Sequence, residues 1–137
     1  MSDAVYTNVR EFNKTLEHWA KDVLPQEFEI VIRKLGLEAL TSIVRSTPVK
    51  TGRARGNWQL TIDFPAEDEI ERMDKNGQAT INSGLRRLSE LKGRGFGGII
   101  FITNNVSYII ELEEGSSQQS PQGMVAVTFE HLNSIFG

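Results

Sequence analysis

Few residues of this chain combine the type and the spacing that chemistry demands. Its two histidines, His18 and His131, stand far apart, and neither has an acid and a nucleophile at triad-like spacing. Both read as structural or surface side chains, His18 because it precedes Trp19 within a helix-like stretch. Cysteine is absent, which excludes disulfides, thiol catalysis and cysteine-based zinc sites. Neither HExxH nor EF-hand ligand spacing occurs, so no metal ligand and no cofactor are expected. The glycine-rich KGRGFGG (92–98) invites comparison with phosphate-binding loops. Those loops lie after a strand and open a helix, whereas these glycines precede an apolar run and no Gly-Lys-Ser/Thr follows. The stretch reads instead as a loop or hairpin tip, with Phe96 as a partner anchor. Glu111, Glu113 and Glu114 could be imagined as acid/base groups, but they sit beside Gly115 in a polar setting. They read as a solvated or inter-subunit face. No catalytic residue emerges, and an enzyme is not expected.

What remains is charge. The 137 residues hold 15 basic and 18 acidic side chains, a net charge of −3, which argues against a dedicated nucleic-acid binder. The charges are nevertheless unevenly spread. Arg45, Lys50, Arg53 and Arg55 cluster early, and Arg86, Arg87, Lys92 and Arg94 later. Acids gather at Glu67, Asp68, Glu69 and Glu71, and again at 111–114. Separate patches of opposite sign on a small chain suit subunits that meet head to tail. Solvated surface charge explains the same patches equally well, and the alternative function is a small DNA-binding module, because arginines on the loop 45–55 can contact phosphates. That loop lacks the interleaved aromatics that stack on bases.

The elements that must position these groups follow from periodicity. Val9, Phe12, Leu16, Trp19 and Val23 mark one face of a helix, with Asn8 and Glu11 as a capping pair at its start. Pro25 then begins a second helix or kinks one long one, and Phe28 to Val44 continue the pattern. Thr47 before Pro48 ends it. Trp58, Leu60, Ile62 and Phe64 alternate with polar residues as a half-buried strand. Ile81, Leu85 and Leu88 mark a short helix, and Ile99–Ile102 a buried strand. Tyr108–Glu113 suits a helical turn, with Tyr108 delivered to the core, and 115–123 is a polar loop. Val125, Phe129, Leu132 and Phe136 recur at helical spacing, although Val125 and Val127 also suit a strand. The expected fold is α+β: a long N-terminal helical segment on a small, mostly antiparallel sheet, with further short helices. One domain spans 1–137, with a flexible insert around 65–98. At 39% hydrophobic and 24% charged residues the chain is ordinary for a globular domain, and no apolar run approaches a membrane span. The opening residues lack a signal-peptide pattern, so cytoplasmic synthesis is expected.

Two segments resemble a known family. STPVKTGRARGNW (46–58) resembles the "TPV-x-TG-x-x-R-x-x-W" segment of bacteriophage head–tail joining proteins, at Pro48, Thr51, Gly52, Arg55 and Trp58. NNVSYIIELEEGSSQQSPQGMV (104–125) resembles a second segment of that family, at Tyr108, Leu112, Glu113, Gly115, Ser117, Pro121, Gly123 and Met124. This is the tail-completion or neck group, which includes proteins of the minor tail protein Z type. Lys50 departs from the aspartate expected in many relatives. The resemblance implies a structural virion protein, made in the host cytoplasm and placed at the neck or tail end. It further implies a ring of the chain with itself, hexameric or dodecameric, touching neighbouring neck, stopper or tail-terminator proteins. By the same resemblance, DNA is expected to pass through the ring's channel without specific recognition. Lys50, Arg53, Arg55, Glu111, Glu113, Glu114 and Phe96 are the candidate interface residues, the acids of one subunit meeting the bases of the next.

Overall fold

The apolar steps of three and four in the first fifth of the chain produce helix α1, Asp3–Asp22. In the computed structural model, residues 3–22, 25–93 and 98–136 are described. Val23, Arg94, Phe96 and the side chain of Trp19 lie outside that set. Helix α1 starts before Asn8, so Asn8 is no cap. Its side-chain amide instead donates to Ala126 O at 3.0 Å, and Asn133 Nδ2 donates back to Asn8 O at 3.1 Å. An amide in a helix interior has spare donors and acceptors, and here they tie α1 to the C-terminal helix.

Helix α2, Pro25–Ser46, has Pro25 as its first residue. That position suits proline, because the helix leaves its first N–H groups unbonded and proline has none. The helix ends before Thr47-Pro48, as the steric restriction ahead of proline requires. Further along come α3 (Arg53–Gly56), β1 (Gln59–Ile62), α4 (Gln78–Ser89), β2 (Ile100–Thr103), α5 (Ile109–Glu113) and α6 (Met124–Phe136). The two strands pair antiparallel, Gln59 opposite Thr103 and Ile62 opposite Ile100. The fold is therefore α+β, with a small antiparallel sheet among a majority of helices.

Two clusters make the core. Leu40, Ile43 and Val44 of α2 pack with Trp58, Leu60, Ile62, Ile81, Leu88, Leu91 and Met124. A second cluster joins Leu35, Leu132 and Phe136 to Phe12, Leu16 and Phe129, with the rings of Phe12 and Phe129 edge to face at 5.5 Å. Strand β2 is half-buried rather than buried. Ile100 and Ile102 pack against the core, and Phe101 and Thr103 on the other face are partly buried as well. Nor is the stretch 65–98 a loose insert over its whole length, since α4 lies within it and buries Ile81, Gly84 and Leu88.

Glycines set how closely α2 and α4 approach. A Cβ at Gly84 would lie 2.0 Å from Leu40 Cδ2, and one at Gly36 would lie 2.9 Å from Leu88 Cδ2. Each helix thus offers a glycine hollow to a leucine of the other. Gly84→Ala gains roughly 1 kcal/mol of helix propensity but overpacks the crossing at a cost of about 1 to 3 kcal/mol. The expected outcome is a lower urea midpoint for the variant; a midpoint at or above wild type would contradict this packing.

Candidate docking surface

The segment after α2 must turn the chain from a helix into a strand while satisfying the helix's last carbonyls. Thr47 Oγ1 donates to Ile43 O at 2.6 Å and accepts the Trp58 indole N–H at 2.7 Å, both inside the protein. Arg55 does the rest. Its Nη2 donates to Thr47 O (2.8 Å) and Arg45 O (3.2 Å), its Nε to Thr47 O (3.3 Å), and its Nη1 to Lys75 O (2.6 Å). Gly52, at φ +87°, lets its own carbonyl accept from both Gly56 N and Asp74 N. A Cβ there would lie 2.7 Å from Asp74 N. Arg53 faces outward and pairs with Glu69, Nε donating to Oε1 at 2.6 Å. Lys50 is exposed, with no partner among the described residues.

Residues 65–77, outside regular structure, are bound to this loop by side chains that periodicity does not reveal. The fully buried Asn57 accepts from Ile70 N and donates to Arg53 O, both at 2.8 Å. Arg72 donates to Gly56 O at 2.8 Å and Trp58 O at 3.0 Å. Asp74 starts α4: Oδ1 accepts Gly77 N at 3.0 Å, while Oδ2 accepts Thr80 N at 2.8 Å and the Thr80 hydroxyl at 2.7 Å. Burial pushes the Asp74 carboxyl up. The hydrogen bonds from Thr80 and Gly77 and the charge of Arg72 outweigh it, so its pKa lies below the ordinary value. Asp74 six residues ahead of Thr80, before Asn76-Gly77, was the one available signal.

The second motif is built similarly. Glu113 turns inward and caps α6, Oε1 accepting Met124 N (2.9 Å) and Val125 N (2.6 Å) and Oε2 accepting Ala126 N (3.2 Å). Four N–H groups at a helix start lack partners, and a carboxylate both bonds them and complements the dipole. Gly123, at φ +85°, leaves room for it, since a Cβ there would lie 2.4 Å from Glu113 Oε2. Met124 is fully buried, and Ser117 Oγ accepts Gln119 N at 3.2 Å. Thr51 likewise accepts Arg53 N, while Pro121 is exposed at the tip of the loop.

The two motifs meet. Gln119 Oε1 accepts Val49 N at 2.9 Å and its Nε2 donates to Val49 O at 3.2 Å, a two-point clamp across 70 residues of sequence. Between them lies a depression of about 660 Å³ whose walls include Pro48, Val49, Lys50, Met73, Tyr108 and Leu112. Tyr108 is 37% exposed there rather than delivered to the core. It precedes the first residue of α5, a helix without a fully buried residue, so its ring lies against the depression. Nothing in the sequence signals the Gln119 clamp, because its partner is a backbone peptide.

Of the seven candidate interface residues, Arg55 and Glu113 are thus internal braces, Arg53 is paired on the surface, and Phe96 lies outside the described residues. Lys50, Glu111 and Glu114 remain exposed. His131 lies 3.3 Å from Glu38, linking α6 to α2. Among the described residues no helix is long and apolar enough to cross a membrane. Compared with protein-family models, curated proteins and solved structures, the chain matches none.

Because the Asp74 pKa is depressed in the folded state, its contribution is present above the unfolded value, 3.8, and is lost as pH falls below it. Asp74→Asn keeps the shape but not the charge. Acid titration of unfolding stability should show the wild type losing its advantage over this variant below pH 3.8. An advantage that persists unchanged into stronger acid would contradict the assignment.

Proposed function

We propose that this chain is a structural protein of a tailed-bacteriophage virion, a ring-forming tail-completion or neck component that joins tail to head around a DNA channel. One observation carries the reading: the two segments that resemble head–tail joining proteins, 70 residues apart, are clamped together by Gln119 around one open depression. Loops fixed on a rigid scaffold are well suited to presenting contact surfaces. Their charges without a partner among the described residues are also of opposite sign, Lys50 on one side and Glu111 and Glu114 on the other, which supports contacts between unlike faces of identical subunits. The partners are further copies in a ring of six or twelve, neighbouring neck, stopper or tail-terminator proteins, and DNA passing without specific contact. The place of action is the neck or tail end, after assembly in the host cytoplasm.

A phage lacking this chain is expected to make heads and tails that fail to join, or unfinished tails, as seen by electron microscopy of lysates. Normal infectious particles would overturn the reading. The DNA-binding alternative loses ligands, because Arg53 and Arg55 are engaged within the chain and leave Arg45 and Lys50 as the cations of that loop with no side-chain partner among the described residues. Any duplex binding by that loop should weaken with salt at a log–log slope no steeper than about −2. A steeper slope, abolished by Lys50→Glu, would favour the alternative.

A further inference from the structure

We infer that the depression between the two motifs receives helix α5 of a second copy of this chain. The inference rests on the ring reading and specifies its contact. Helix α5 has two opposed faces. At 3.6 residues per turn, Leu112 lies near Tyr108, while Ile110 and Glu114 lie about 200° and 240° round from it. The Tyr108/Leu112 face forms part of the wall of the depression. The opposite face carries Ile110, 69% exposed, with Glu114 beside it and Glu111 toward its edge, neither acid having a partner among the described residues.

The depression offers the complement. Its apolar surface comes from Pro48, Val49, Met73, Tyr108 and Leu112, and Met73 is 60% exposed. Lys50 on its margin is exposed and unpaired among the described residues. Seating Ile110 among those apolar groups removes two exposed hydrophobic surfaces from water together. It also brings Glu114 and Glu111 to Lys50, and such charge pairs fix partner and register more than affinity. Since wall and outer face belong to one short helix, each copy that accepts an α5 presents its own α5 onward. The contact joins two different patches and therefore repeats from copy to copy rather than ending in a two-fold dimer, and on the ring reading that repeat closes on itself.

The cysteine-free sequence permits a direct test. Lys50→Cys and Glu114→Cys are introduced together and the purified chain is oxidised at high concentration. The expected result is a ladder of cross-linked species reaching trimer and beyond, while each single-cysteine variant stops at dimer. Mixing the two single variants should give the unlike dimer, and adding Ile110→Glu to the double variant should remove the ladder. Sedimentation of the wild-type chain separates two kinds of failure. A ring without a ladder overturns this contact and leaves the ring reading standing; absence of both ring and ladder overturns both. A missing ladder in a chain whose Lys50→Glu phage still leaves heads and tails unjoined assigns the depression to a different neck protein, and also overturns the contact.

Discussion

The carbonyls at the C-terminus of α2 are the constraint on which the rest of the structure depends. A helix that ends beside a core must give its last C=O groups partners, or lose the desolvation energy of each. Here the partner is Arg55, nine residues past the end of the helix, whose guanidinium reaches Arg45 O, Thr47 O and Lys75 O. Burial pushes the Arg55 pKa down and Asp74 pushes it up. The same aspartate starts α4. One guanidinium and one carboxylate therefore tie the end of α2, the turn before β1 and the start of α4 into a single unit. Thr47 and Trp58 brace that unit from the core side with a buried hydrogen bond.

This changes what the motif residues mean. Arg55 and Glu113 carry charges and lie in polar stretches, so a surface role is the natural reading of the sequence. In the structure each is turned toward backbone groups that only a charged, multidentate side chain can satisfy at once. The charged residues left for a partner are Lys50, Glu111 and Glu114, beside the braces rather than the braces themselves. Arg55 and Glu113 hold each loop from behind, whereas the Gln119 clamp that joins the two loops is made at the surface.

Most of the fold was legible wherever a pattern is local. The 3.6-residue rhythm located α1, α2, α4 and α6, Pro25 and Pro48 bracketed α2, and alternation located β1, because each signal needs only neighbours along the chain. What was not legible depends on partners far away. Asn8 looked like a cap because nothing nearby shows that its amide meets Ala126. Gly84 was silent because its reason is Leu40. The site was half readable: the two segments stood out, but their meeting through Gln119 and Val49 did not, since one partner is a peptide group that every residue possesses. The second motif points Tyr108 toward the core, yet in the structure its ring lines the depression.

Helix α1 owes its place to α6, and that has a consequence for how the protein is made. The bond from Asn8 to Ala126 spans 118 residues, and the Phe12–Phe129 contact spans a similar distance. At a synthesis rate of about 5 to 20 residues per second, α1 waits on the order of 6 to 24 s before its mate is translated. Throughout that interval the nascent chain carries Phe12 and Leu16 without the aromatic lid that α6 later supplies. Until α6 has been made, the second core therefore lacks the helix that closes it over α1.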